Sequence, residues 1–179
     1  SDDTLLEVKN LSGNGIRNIS FKLKKGEILG FAGLIGSGRT ELMELIFGAK
    51  KIKEGEIFFN GKKFTPKNPK YCINNGIVLV PEDRKRLGAL ITRSIKENVT
   101  ISCIEKISKF LFINNKEDKK ISNNFVESLK IKASGINQIV KNLSGGNQQK
   151  VVISKCLSVN PDLIILDEPT RGIDVGAKY

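Results

Sequence analysis

The spacing of apolar and polar positions changes along the chain, and each change predicts an element. Leu5-Leu6-Glu7-Val8-Lys9 and Ile19-Ser20-Phe21-Lys22-Leu23 read as short strands, the second alternating strictly. Lys25-Gly26-Glu27 is a turn, and Ile28-Leu29-Gly30-Phe31-Ala32 is a continuous apolar run of the kind expected of a central strand covered on both faces. That run enters the glycine-rich stretch Gly33-Leu34-Ile35-Gly36-Ser37-Gly38-Arg39-Thr40. Beyond it, Leu42, Leu45 and Ile46 mark one face of a helix ending near Gly48. Glu56-Ile57-Phe58-Phe59 predicts a strand entering a hairpin turn at Asn60-Gly61, and Ile77-Val78-Leu79-Val80 a buried strand stopped by Pro81. From Arg84 to Lys141 the chain is rich in Lys, Asn and Ser. Helical spacing at Ile121, Phe125 and Leu129 predicts a helical insertion there rather than more sheet. A helix through Val151, Val152, Lys155 and Cys156 follows, and Pro161 opens a buried strand, Leu163-Ile164-Ile165-Leu166. Strands and helices alternate. The pattern predicts an α/β fold with a mainly parallel sheet.

Composition narrows the chemistry. The chain has 179 residues, 39% hydrophobic and 27% charged, as expected of one globular domain with its own core. Its three cysteines, Cys72, Cys103 and Cys156, form no CxxC spacing, which argues against zinc fingers and a disulfide scaffold and for a reducing compartment. Histidine is absent, which excludes a Ser-His-Asp triad, a histidine metal ligand and a histidine proton shuttle. No apolar run approaches the roughly 20 residues of a membrane span, and the acidic start Ser1-Asp2-Asp3 lacks a signal-peptide pattern. The net charge of +11 is compatible with nucleic acid, an anionic membrane or an anionic small ligand. The lysines are scattered, however, and are not interleaved with aromatics, which make up 6% of the chain with no Trp.

Three segments carry the candidate chemistry. Gly33-x4-Gly38-Arg39-Thr40 fits the Walker A frame except that Arg39 stands where lysine is usual. Its glycines let backbone N–H groups wrap a phosphate at a helix N-terminus, and the Thr40 hydroxyl suits Mg2+. The guanidinium of Arg39 is a planar fork rather than a compact charge. Nucleotide binding through the backbone is therefore expected to survive better than fast γ-phosphate chemistry. Leu163 to Leu166 followed by Asp167-Glu168 has the Walker B form, with Asp167 expected on Mg2+ and Glu168 as the base for an attacking water. In Leu143-Ser144-Gly145-Gly146-Asn147-Gln148-Gln149, Ser144 can cap a helix whose first residues are glycines, a second anion-binding device.

The order of Walker A, a gap of about a hundred residues, Leu-Ser-Gly-Gly and Walker B resembles the nucleotide-binding domain of ABC-type ATPases. Glu168-Pro169-Thr170-Arg171-Gly172-Ile173-Asp174 looks like that family's D-loop. Gly33 to Leu42, Pro81-Glu82-Asp83-Arg84-Lys85 and Leu143 to Lys150 look like the second half of bacterial simple-sugar importers of the ribose, galactose or xylose type. These carry two nucleotide-binding domains on one chain, and the second is known for an arginine in Walker A.

The resemblance runs from about Leu5 to Tyr179. It implies a P-loop NTPase core with an antiparallel β subdomain and a helical subdomain, truncated at the C-terminus before the switch histidine. The divisions would be 1–83 (β subdomain and Walker A), 84–142 (helical subdomain) and 143–179 (signature helix, Walker B and D-loop). ATP would be bound by Gly33, Gly36, Ser37, Gly38, Arg39 and Thr40 and, across a head-to-tail pair of domains, by Ser144, Gly145, Gly146 and Asn147. The metal ligands would be Thr40, Asp167 and Glu82, the last standing where the family has its Q-loop glutamine. Partners would be the first nucleotide-binding domain of the full-length chain, membrane permease subunits and, indirectly, a periplasmic or lipoprotein sugar-binding protein, with no nucleic acid. The setting would be cytoplasmic, on the inner face of the cell membrane. Arg39 and Glu82 keep open a regulatory module that binds ATP without hydrolysing it, and the +11 charge a soluble ABC ATPase acting on nucleic acid or ribosomes.

Overall fold

A computed structural model describes residues 3–109 and 112–170. The chain forms two compact units, Ser1–Val78 and Leu79–Tyr179. The first is built on a four-stranded antiparallel sheet of β1 (Thr4–Gly13), β2 (Ile16–Lys24), β3 (Glu54–Phe59) and β4 (Lys62–Phe64), in the order β2-β1-β3-β4. Tight turns join β1 to β2 and β3 to β4, so the neighbours run antiparallel as the family resemblance implies, not parallel as the alternation alone suggests. Leu6, Val8, Leu11, Ile57 and Phe59 are buried, and the exposed strand positions are mostly polar or charged, among them Lys9, Lys22, Lys24, Glu54 and Glu56. Helix α1 (Arg39–Ile46) buries Leu42, Leu45 and Ile46, the three positions the spacing predicts. Asn14, in the β1–β2 turn, holds this helix by donating from Nδ2 to Glu44 Oε2 at 2.8 Å and to the Glu41 carbonyl at 3.3 Å.

Helix α2 (Pro69–Asn74) was not predicted, although its start is written in the chain. Asn68 Oδ1 accepts from Tyr71 N at 2.8 Å, and Pro69 occupies the first helical position, where its missing N–H is harmless. The larger correction concerns 28–32. This run joins none of the three sheets among the described residues, and Ile28 is 98% exposed. Its apolar content is that of a buried strand, but a strand also needs a neighbour to take its N–H and C=O groups, and none is paired with it here. Phe31 alone finds an aromatic partner, edge-on to Phe21 at 5.1 Å.

The unit boundary falls inside β5 (Ile77–Val80). In the second unit a π-helical turn (Arg84–Gly88) precedes α3 (Ile95–Thr100), α4 (Ile104–Ile107), a short hairpin of β6 (Ser108–Lys109) and β7 (Phe112–Ile113), α5 (Asn115–Ser128), α6 (Gly145–Leu157) and β8 (Leu163–Leu166). The insertion is thus helical but not purely so. Its core is Ile95, Val99, Ile131, Val140, Leu143 and Val151, with Ile121, Phe125 and Leu129 packed against it as the helical spacing requires. Strand β8 differs from the expected four buried aliphatics: Leu163 and Ile165 are buried, but Ile164 is 39% and Leu166 53% exposed. A strand with one covered face buries alternate residues only.

Two polar devices stiffen the helices. Ser94 and Glu97 form a reciprocal capping box at the start of α3. The Ser94 backbone N–H and hydroxyl on Glu97 hold its carboxyl below the usual carboxylate range. Between α3 and α5, buried Asp118 accepts from Thr100 Oγ1 at 2.8 Å and pairs with Lys96 Nζ at 3.0 Å. Removing one member of a buried pair strands the other, so Asp118→Ala should lower the unfolding free energy by ~3 kcal/mol, and Ser94→Ala by only ~1 kcal/mol. Urea denaturation of the two variants checks the ranking. Equal losses would show that Asp118 is no structural node.

Candidate functional site

Among the described residues, the candidate site residues fall into three groups, one in the first unit and two in the second. The first begins at Gly33, where an added Cβ would lie 2.5 Å from Ser37 Oγ; Ser37 N donates to the Leu34 carbonyl at 3.1 Å, closing the loop on itself. Gly38 is the N-cap of α1 at φ 92° and ψ 9°, with no side-chain cap on the helix, and an added Cβ there would meet Ile16 at 2.8 Å. A glycine N-cap in the left-handed conformation has no side chain of its own with which to cap the first turn of α1. Gly33 to Ser37 are exposed, and Gly38, Arg39 and Thr40 half-buried. The loop is tight, uncapped and backbone-lined, which suits a phosphate.

The second group forms at the ends of β5 and β8. Asp167 N donates to the Val80 carbonyl at 3.0 Å, placing the C-terminal ends of the two strands side by side. Asp167 is buried, whereas Glu168 is half-buried and sits at φ 43°, a left-handed conformation uncommon outside glycine. Glu82 follows Val80 by two residues and is half-buried. Oxygen donors of this kind suit a hard cation such as Mg2+. No cluster of three or more metal-ligating side chains occurs among the described residues. Of the stretch expected to form a D-loop, Glu168 to Thr170 are described, and Arg171 to Asp174 lie outside the described residues.

The third group is the start of α6. Ser144 is its N-cap, as the sequence predicts, and Gly145 and Gly146 begin the helix. Ser144 Oγ accepts from Asn147 N at 3.4 Å and from Asn147 Nδ2 at 2.9 Å, while Asn147 Oδ1 accepts from Lys132 N at 2.9 Å. Two positioning residues escaped the sequence reading. Gln148 is buried and donates from Nε2 to the Val140 and Leu143 carbonyls at 3.3 and 3.2 Å, fixing the segment that leads into Ser144. Lys155 donates to the Gly88 carbonyl, tying α6 to the π-helical turn. Burial pushes the Lys155 ammonium below its ordinary pKa and the Cys156 thiol up to about 11. Cys72 is likewise pushed up to about 11 by burial. Both thiols stay protonated near neutral pH and serve as packing groups rather than nucleophiles. Nothing in a helical repeat tells a buried Gln or a half-buried Lys from an exposed one.

The ABC transporter family profile matches residues 16–171. The chain is 54% identical over 165 residues to a xylose import ATP-binding protein of Thermoanaerobacter pseudethanolicus, covering 92% of this chain and 33% of that protein. It is 47% identical over 178 residues to a ribose import ATP-binding protein of Clostridium tetani, covering 98% of this chain and 35% of that one. The chain therefore spans about a third of the length of these relatives. Among solved structures it is similar to a nucleotide-free ATP-binding cassette from an ABC transporter, with a TM-score of 0.80 and 26% identity over 97% of this chain and 72% of that one. A dimeric cassette in a post-hydrolysis state with ADP and Pi shares the fold, with a TM-score of 0.78 and 24% identity over 97% of this chain and 78% of that one.

The loop geometry makes a prediction that needs no ligand. Gly38→Ala forces a side chain into a left-handed conformation against Ile16 and should destabilise the protein by ~2 kcal/mol. Gly33→Ala meets the rotatable Ser37 hydroxyl and, at 3.1 Å, the Ser37 Cβ, but requires no left-handed backbone, and should cost less, ~1 kcal/mol. Urea unfolding of the two variants measures the difference. A larger loss at Gly33 would contradict the conformation assigned to Gly38.

Proposed function

The chain belongs to the ABC transporter family, and we propose that it is the second nucleotide-binding domain of an ATP-driven importer of a monosaccharide. The observation carrying this reading is the 54% identity, over 92% of the chain, to a xylose import ATP-binding protein, with ribose import proteins matching nearly as well. Phosphates of ATP would lie against the backbone of Gly33, Gly36, Ser37 and Gly38, with Arg39 beside them, and Thr40, Asp167 and Glu82 would hold Mg2+. Mg2+, when bound, would neutralise charge on the phosphate oxygens. Glu168 would accept the proton of the attacking water on its carboxylate.

The pocket on Arg39 is the slower of two. A guanidinium cannot replace a compact ammonium between phosphates without rearrangement, and Glu82 adds a negative charge near the same phosphates. The productive site is then composite, with ATP held by the first half of the full-length protein, Ser144, Gly145 and Gly146 of this chain supplying donors from the facing domain, and Asn147 standing beside them. Closure of the pair around ATP would move permease subunits docked near Glu82 to Arg86 and the helical segment 84–142, and hydrolysis would release it. On this reading the domain would sit in the cytoplasm against the inner face of the membrane.

The test is turnover by the full-length protein with its permease. Glu168→Gln should leave at least half of the ATPase rate, while the matching change in the first half should lower it by about a hundredfold or more. If only Glu168→Gln abolishes turnover, the productive pocket is the one built on Arg39 and the assignment is reversed.

A further inference from the structure

We propose that Asn147 is a positioning residue that sets the direction of the Ser144 hydroxyl proton, making Ser144 a dedicated donor to the phosphate it faces. The inference rests on the reading that this end of α6 meets ATP. The argument starts from a group with only one hydrogen-bonding role. A backbone N–H can only donate, so the side-chain atom of Asn147 that receives Lys132 N at 2.9 Å must be the carbonyl oxygen Oδ1. That choice leaves no freedom in the amide: Nδ2 is the atom directed at Ser144 Oγ, 2.9 Å away, and it too can only donate. Ser144 Oγ also receives Asn147 N at 3.4 Å, so both acceptor positions of the hydroxyl are occupied by N–H groups. Its one proton is then directed away from the protein. Ser144 is exposed, and no acceptor for that proton is found among the described residues.

A serine hydroxyl normally rotates to suit its neighbours and can face a ligand as donor or acceptor. Toward a phosphate oxygen only the donor orientation is attractive, and a hydroxyl already set that way needs no reorganisation when the nucleotide arrives. The relay Lys132 N to Asn147 to Ser144 performs this setting. Lys132 lies in the connection after α5, and Lys150 Nζ, on the next turn of α6, donates to the Lys130 carbonyl of the same connection at 3.1 Å. The orientation of one hydroxyl is thus anchored to the segment that joins the helical insertion to α6.

A double-mutant cycle in the full-length protein, read as kcat, KM and melting temperature, tests the relay. Ser144→Ala and Asn147→Ala are each expected to lower kcat about tenfold, and the double variant to be no more than about twofold worse than Ser144→Ala alone. Losses that multiply to about a hundredfold would show that Asn147 acts independently of Ser144 and would overturn the inference while leaving the proposed function standing. An unchanged kcat in Ser144→Ala would overturn the proposed function and the inference with it. The near-isosteric Asn147→Asp guards against a folding defect in the alanine variant. Its second carboxylate oxygen is an acceptor that would draw the Ser144 proton inward, so kcat should fall at least tenfold with the melting temperature held. Full turnover in Asn147→Asp would also overturn the proposal.

Discussion

The second unit depends on the burial of one helix. Val151 and Val152 of α6 are at most 1% exposed, and the residues around them attach the helix on more than one side. Gln148 binds the carbonyls of the preceding segment, Cys156 Sγ donates to the Leu79 carbonyl at 3.6 Å, and Lys155 reaches the Gly88 carbonyl. A well-packed helix of this kind moves as a body, not by bending at its end. The direction in which Ser144 and the two glycines point is therefore fixed by packing several residues away from them. The backbone bond from Asp167 to Val80 does the same for the acidic pair, because it sets where the chain leaves β8.

The high positive charge finds part of its explanation in the same unit. Lys106, Lys150 and Lys155 each donate to a backbone carbonyl, of Val159, Lys130 and Gly88 respectively, and Lys96 is held by Asp118. Long side chains of this type cover apolar surface with their stems while the ammonium satisfies a carbonyl that helices and turns leave open. A lysine count alone therefore does not indicate a nucleic-acid surface.

Much of the fold is legible in the chain because local rules and tertiary packing agree there. Leu42, Leu45 and Ile46 on α1, Ile121, Phe125 and Leu129 around α5, and the Asn60-Gly61 turn each stand where spacing and turn chemistry place them. The reading fails where a segment depends on a partner that periodicity cannot name. The run 28–32 has the composition of a central strand without a paired neighbour, and β8 alternates because one face is covered and the other open. Helix α2 was missed because its Asn-Pro start is a capping signal, not a periodic one. In the candidate site, the glycines and Ser144 were legible from their dihedral and capping roles. Gln148 and Lys155 were not, since their importance lies in which backbone carbonyls they reach, and helical spacing does not show that.

The central claim is that the Ser144 end of α6 supplies hydrogen-bond donors to a nucleotide held by the facing domain. The most direct measurement is an experimental structure of the full-length protein trapped with a non-hydrolysable ATP analogue. The account predicts Ser144 Oγ within ~3 Å of an oxygen of the γ-phosphate bound by the first half, with Asn147 still bridging Ser144 and Lys132. A closed pair in which Ser144 faces solvent, or in which the only nucleotide contacts of this chain come from Gly33 to Thr40, would contradict it.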